Sequence, residues 1–227
     1  MTGSSMVQET AAHPGQGSRG TCGPQAVTQE GTSALPGSGT KIGLGFERQA
    51  DEPENPRGLV IINTGLGKGK TTAALGVMLR AWGCDLRSRM FQFIKNTNAS
   101  FGEHRAARKL EIPIEARGNG CTRRSKDLDQ AQALAVSQWQ RCKNALESGD
   151  EDIIVLDEFT YPLHFGWISV EDVTTALKRR RPGMHVIITG RYAPQDLIDF
   201  ADVVTEMEVV KHPYRDQGIK AQLGIEL

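Results

Sequence analysis

The chain has little that would tie it to a membrane, an oxidising compartment or a polyanion. Four cysteines, Cys22, Cys84, Cys121 and Cys142, are scattered through 227 residues with no C-x-x-C pair. That argues against both a disulfide framework and a structural zinc site. No apolar run approaches the roughly 20 residues needed to cross a bilayer. The N-terminus lacks the basic stretch followed by an apolar stretch that marks a secretory signal, and arginine is too scarce there for a transit peptide. Neither sign of charge is in excess: 27 Lys+Arg face 27 Asp+Glu, so no global field favours nucleic acid. A cytoplasmic protein is expected, with no membrane and no nucleic-acid partner.

Aromatic residues are missing from residues 1–41, which are rich in Gly, Ser, Thr, Pro and Gln instead. Such a segment cannot bury enough apolar surface to offset its ordering entropy. Residues 1–57 are therefore expected to be a disordered tail and linker, ending in the proline-broken stretch Asp51-Glu-Pro-Glu-Asn-Pro56. Residues 58–227 are expected to fold as one α/β domain, a size that one core can fill.

In that region short apolar runs alternate with amphipathic segments. Leu59–Ile62, Arg89–Ile94, Ile153–Leu156 and Val186–Thr189 read as strands, and Asp202–Val210 as a fifth. Lys70–Trp82 carries apolar residues at helical spacing and is followed by Gly83 as a C-cap. Asp127–Leu146 is a second helix, and Ser169 caps a third with Glu171 and Asp172 in its first turn. Trp82 and Trp139 sit at core spacing on their helices. Strands alternating with helices imply a mainly parallel sheet flanked by helices.

The chemistry is concentrated after the first strand, in Asn63-Thr-Gly-Leu-Gly-Lys-Gly-Lys-Thr-Thr72. Glycines let successive backbone N–H groups converge on phosphate oxygens at a helix N-terminus. Lys70 adds a point charge, and the Thr71 hydroxyl is placed to hold Mg²⁺. The common spacing G-x-x-x-x-G-K-[ST] would put its first glycine at Thr64. Here the first is Gly65, so the loop is one residue shorter and carries an extra Lys68. The buried strand ending in Asp157-Glu158 supplies carboxylates that can reach the same cation.

These pieces, taken with Gln92-Phe-Ile-Lys95, Val155-Leu-Asp-Glu-Phe-Thr-Tyr161, Ile188-Thr-Gly-Arg191, Ala201-Asp-Val-Val-Thr-Glu206, Lys211-His212 and Ala221-Gln-Leu-Gly-Ile-Glu226, resemble the CobA-type ATP:corrinoid adenosyltransferases. The resemblance runs in order from about Gly58 to Leu227. It implies a RecA-like phosphate-loop fold, a homodimer, and MgATP and a corrinoid such as cobalamin as substrates, with a flavoprotein as a candidate electron donor. In that family cob(I)alamin attacks C5′ of ATP and triphosphate leaves, with the nucleotide reversed relative to ordinary phosphate-loop hydrolases. Carried over by position, Thr64, Gly65, Leu66, Gly67, Lys68, Gly69, Lys70, Thr71 and Thr72 would hold the nucleotide. Thr71, Glu158 and Asp157 would hold magnesium, and Lys68, Lys70 and Arg191 would stabilise the leaving triphosphate. Arg80 and Lys95 are further binding candidates, although each reads as well as a solvated side chain. Lys211-His212 reads as structural.

The sequence departs from the family pattern in three places. Leu66 stands where asparagine is usual. The corrinoid loop, commonly G-x-G-F-T-W, reads Gly118-Asn-Gly-Cys-Thr-Arg123, so that Gly120, Cys121, Thr122 and Arg123 form the candidate corrinoid contact without its two aromatics. That substitution points to a corrinoid lacking the lower base, or to a diverged module that binds ATP and corrinoid without efficient chemistry. The usual basic N-terminal helix is replaced by the Gly/Ser-rich tail. A RecA-like ATPase acting on a macromolecule is the remaining rival, and the balanced charge speaks against it.

Overall fold

Alternating apolar runs form a single sheet in which every strand is parallel to its neighbours. A computed structural model describes residues 57–95, 101–118, 120 and 128–226. In chain order the elements are β1 (Val60–Thr64), α1 (Lys70–Gly83), β2 (Ser88–Gln92), α2 (Gly102–Lys109), β3 (Ile114–Ala116), α3 (Leu128–Ser148), β4 (Ile153–Asp157), α4 (Thr160–His164), α5 (Val170–Arg179), β5 (His185–Thr189), α6 (Gln195–Phe200), β6 (Val203–Glu206) and α7 (Pro213–Gln217). The strands lie in the order β3-β2-β4-β5-β1-β6, all pairs being parallel.

The central strand β4 explains the two layers. Its residues are all buried, and their side chains alternate between faces. Ile154 and Leu156 join Phe91, Phe93, Trp139, Phe159 and Leu177 in the larger core, against α3 and α5. Ile153 and Val155 face the other way, with Met90 and Ile187, onto Ala74, Met78 and Ala81 of α1. This continuous apolar strand, covered on both faces, is what the sequence pattern anticipates for a parallel sheet.

Local chemistry sets the ends of the helices. Ser169 accepts the N–H of Asp172 at 3.1 Å, capping α5 as its sequence suggests. Beyond its last turn, Arg180 donates to the carbonyls of Leu177, Met184 and Gly58, satisfying a free helix-end carbonyl and tying α5 to the start of β1. α1 runs through Gly83, so that Cys84, not Gly83, is its C-cap.

Two expectations are corrected. Trp139 is buried, 2% exposed, and its indole donates to Asp172 at 2.6 Å. Trp82, however, is 49% exposed. It lies on the outward side of α1, whose buried stripe is formed by the smaller residues Ala74, Met78 and Ala81. The fifth strand is also shorter than expected, Val203–Glu206, because the chain turns at Met207 onto the phosphate loop. The expected tail and linker, Cys121, Thr122, Arg123 and residue 127 lie outside the described residues, apart from Arg57. Among the described residues no helix is long and apolar enough to cross a membrane.

Candidate functional site

The C-terminal ends of β1, β2, β4 and β5 all open on the same edge of the sheet, and the candidate residues gather there. The phosphate loop leaves β1 at Thr64 and enters α1 at Lys70. Gly65 (φ 90°) and Gly69 (φ 102°) take left-handed backbone conformations that favour glycine. A side chain at Gly67 would lie 2.6 Å from the Met207 carbonyl and 2.7 Å from that of Glu208. The loop is thus packed flat against the segment after β6, and Gly67 N–H donates to the Met207 carbonyl at 2.6 Å.

Lys70 is buried and donates to the carbonyls of Gly65, at 2.8 Å, and Gly67. Burial holds its ammonium below the ordinary lysine range; Glu158 opposes that shift, while Arg191 and Lys68 add to it. The Lys68 side chain is instead paired with Glu226 of the C-terminal segment at 2.9 Å. Thr64 is buried and its hydroxyl accepts the Ala193 N–H at 3.4 Å. Leu66 and Thr72 are exposed.

The two adjacent acids differ sharply. Asp157 is fully buried and saturated. Its Oδ1 accepts the hydroxyls of Thr71 and Thr189, each at 2.7 Å; its Oδ2 accepts the Gln92 amide at 3.0 Å and faces the Lys95 ammonium at 3.3 Å. Glu158 follows in the left-handed region (φ 58°), unusual for a residue with a side chain, which turns it away from the strand. Its Oε2 is buried and accepts no hydrogen bond from a described residue. Burial, and then the charge of Asp157, raise its carboxyl above the usual carboxylate range, against the pull of Lys95, Lys70 and Arg191.

Lys95 belongs to this network. It bridges Asp157 and Glu103; burial acts to lower its pKa, but the two carboxylates outweigh it and the net shift is upward. Arg191 follows β5 and Gly190, close enough for its charge to act on both Lys70 and Glu158. A Cβ at Gly190 (φ 140°) would collide with the Thr160 hydroxyl, which donates to the Arg191 carbonyl at 2.6 Å and so fixes that turn.

Arg80 is not brought to the loop. It is exposed in the last turn of α1, about 15 Å along the axis from Lys70. Gly120 lies by the end of β2, its N–H donating to the Ile94 carbonyl at 3.2 Å. The His212 ring accepts the N–H groups of Tyr214 and Arg215 and caps α7. The sequence reading missed Thr189, Gln92 as an Asp157 partner, Glu103 and His104. The place of Gln92 and Thr189 at strand ends next to β4 was the available signal. A cavity of about 540 Å³ opens elsewhere, between α2, β3 and α3, lined by His104, Arg108, Glu115 and Leu134. The phosphate loop forms no part of its wall.

Residues 56–227 match the family described as ATP:corrinoid adenosyltransferase BtuR/CobO/CobP. A corrinoid adenosyltransferase from a Sinorhizobium species is 39% identical over 174 residues, 75% of this chain and 80% of that protein. The corrinoid adenosyltransferase CobA of Salmonella typhimurium is 37% identical over 175 residues, 77% of this chain and 88% of its own. A Pseudomonas aeruginosa corrinoid adenosyltransferase is 35% identical over 177 residues, 77% and 86% of the two chains. With a phosphate loop, a buried strand-end acid pair and a match across most of its length, this chain belongs to the ATP:corrinoid adenosyltransferase family.

Proposed function

We propose that this chain transfers the 5′-deoxyadenosyl group of ATP to the cobalt of a reduced corrinoid and releases triphosphate. The observation that carries the reading is the meeting of a shortened phosphate loop with Thr71 and Glu158 at one sheet edge, in a chain of this family. The cobalt(I) electron pair forms the bond to C5′, the C5′–O bond breaks, and its electrons leave with the triphosphate. The nucleophile belongs to the corrinoid, so the protein needs no general base for this step. Its task is to position the two substrates and to stabilise the growing negative charge.

Lys70 and Arg191 are assigned to that charge, with Lys68 joining them once it exchanges Glu226 for phosphate. Magnesium fits the residues present. Among the described residues no group of three or more His, Cys, Asp or Glu gathers to hold a metal, but Mg²⁺ bound with a nucleotide needs only one or two protein ligands beside phosphates and water. Glu158 offers a buried oxygen without a partner among the described residues, and Thr71, whose hydrogen is committed to Asp157, offers its lone pairs. Asp157 has no acceptor position left and is assigned to holding Thr71. Magnesium bound there would supply neutralisation of the triphosphate.

A homodimer acting in the cytoplasm completes the reading. Exposed apolar side chains on the edge strand β6, Val203 and Val204, and on the following segment, Val210, Leu223 and Ile225, are surface that a second copy would cover.

The test is an anaerobic turnover assay with chemically reduced cob(I)alamin and cob(I)inamide offered separately with MgATP. Adenosyl-corrinoid and triphosphate in equal amounts are expected, and preference for the substrate without a lower base would follow from Cys121 and Arg123. ATP binding with neither product would favour the binding module. Phosphate release without a corrinoid would favour an ATPase.

A further inference from the structure

The wiring of Asp157 extends past the nucleotide site into α2. A carboxylate oxygen only accepts, so the end of the Gln92 side chain that faces Oδ2 is its NH₂, and the amide oxygen points away. There it meets Nε2 of His104 at 2.7 Å. An amide oxygen also only accepts, so Nε2 carries the ring proton. On the other side of the ring, Nδ1 stands 3.1 Å from the backbone N–H of Phe101 and accepts it. One neutral tautomer satisfies every contact, whereas an imidazolium would set N–H against N–H. Gln92 is fully buried, so losing the His104 donor leaves a buried amide oxygen that is costly to leave unpaired.

The chain of bonds is directional at each step. The backbone of α2 orients the His104 ring, the ring orients the planar Gln92 amide, and the amide sets the plane of the Asp157 carboxylate. That carboxylate receives the Thr71 hydrogen and so leaves the Thr71 lone pairs available to a cation. Lys95 and Thr189 would fix this plane less well, because an ammonium is a rotatable point charge, here shared with Glu103, and a hydroxyl also rotates.

We propose that His104 is a positioning residue for Thr71, acting through Gln92 and Asp157. The proposal rests on the reading of Thr71 and Glu158 as the magnesium-holding pair. Remote partners that orient metal-holding groups are a general means of tuning cation affinity.

Two substitutions separate the roles of the ring. His104→Asn places an amide near Nδ1 and can keep the bond to Phe101, but cannot reach Gln92. His104→Gln extends an amide to the place of Nε2 and restores the donor to Gln92. The full-length protein and both variants are titrated with ATP by calorimetry, without corrinoid, in the presence and absence of Mg²⁺. The ratio of the two affinities is read. His104→Asn should lower that ratio about 3- to 10-fold, as expected for one lost buried hydrogen bond, with magnesium-free affinity unchanged. His104→Gln should stay within about twofold of the parent, the variation expected of surviving hydrogen bonds. In turnover, His104→Asn should lower kcat with KM for the corrinoid unchanged.

Equal ratios in all three proteins overturn the proposal. So does an equal fall in both variants, which would make His104 a packing residue. A parent protein whose ATP affinity ignores magnesium overturns the magnesium reading first and the proposal with it. Should His104→Asn fail to fold by circular dichroism, the ¹⁵N spectrum of the parent histidines at neutral pH decides, with the His104 signals assigned by their loss in His104→Gln. A protonated Nε2 beside an unprotonated Nδ1 supports the proposal, and the opposite tautomer overturns it.

Discussion

Asp157→Asn changes one atom of the site and should be felt in both stability and cation binding. The variant has nearly the same volume, so the strand should persist. Its NH₂ must replace one of two oxygens, each facing two donors. Lys95 cannot turn into an acceptor, and Gln92 could do so only by flipping its amide and giving up His104, but the Thr71 and Thr189 hydroxyls can rotate. The amide should therefore turn its NH₂ toward the threonines, which reverses the Thr71 hydroxyl and swings its hydrogen toward the loop. Removing one member of a buried ion pair costs about 3–5 kcal/mol. Lys95 keeps Glu103 and is partly exposed, so a loss of about 2–4 kcal/mol is expected here. With a urea dependence of about 2 kcal/mol/M, the unfolding midpoint should fall by about 1–2 M. Tryptophan fluorescence follows this, because Trp139 packs against Phe159 within the core, the tilted rings 5.0 Å apart between centroids. Magnesium-dependent ATP affinity should fall together with the midpoint. A midpoint shift under about 0.3 M, far below the ion-pair cost, with unchanged magnesium dependence would refute the assignment of Asp157 as the charged hub of the site.

Three further outcomes follow from the same contacts. Gly67→Ala places a methyl against two backbone carbonyls of the 207–208 segment; overpacking of this kind costs about 1–3 kcal/mol, and ATP affinity measured by calorimetry should drop about tenfold. Trp139→Ala should destabilise by about 3–5 kcal/mol, whereas Trp82→Ala should lie within about 0.5 kcal/mol of the parent; urea melts of the two give the comparison. His104 is held below its ordinary pKa by burial, with Glu103 and Asp157 pulling it up and Lys95 and Arg108 pushing it down. The unfolded chain therefore binds the extra proton first as pH falls. The His104 contribution is full above about pH 6.5 and is lost as pH falls below it. His104→Gln should flatten that part of the stability curve.

The elements that read clearly in the sequence are those that bury both faces or one clean stripe. β4 is apolar at every position but its last, and α1 begins at a glycine-rich loop, so both are legible from pattern alone. α2 is not, because Gly102–Lys109 buries only His104 and Ala107 and shows no apolar face. β3 is three half-buried residues on the sheet edge, too short to establish a period. Pro162 within Thr160–His164 conceals α4. In the site, sequence located Asp157 and Glu158 but could not divide their labour. Their difference arises from the left-handed turn at Glu158, a backbone conformation that no local pattern announces for glutamate. Likewise, the link from His104 to Asp157 depends on tertiary placement of α2 and has no signature in the spacing of its residues.

The bonds from Lys70 to the carbonyls of Gly65 and Gly67 have a consequence for ligand entry. Without phosphate, the ammonium is an internal brace that keeps the turn curled. An arriving triphosphate would exchange one set of oxygens for another around a charge already in place, with little chain left to order. Entry becomes a swap of partners, and its speed should depend on how readily the brace lets go. It also means that Lys70→Met removes a support and a counter-charge together. The loss measured in such a variant would be the sum of a looser loop and a weaker grip.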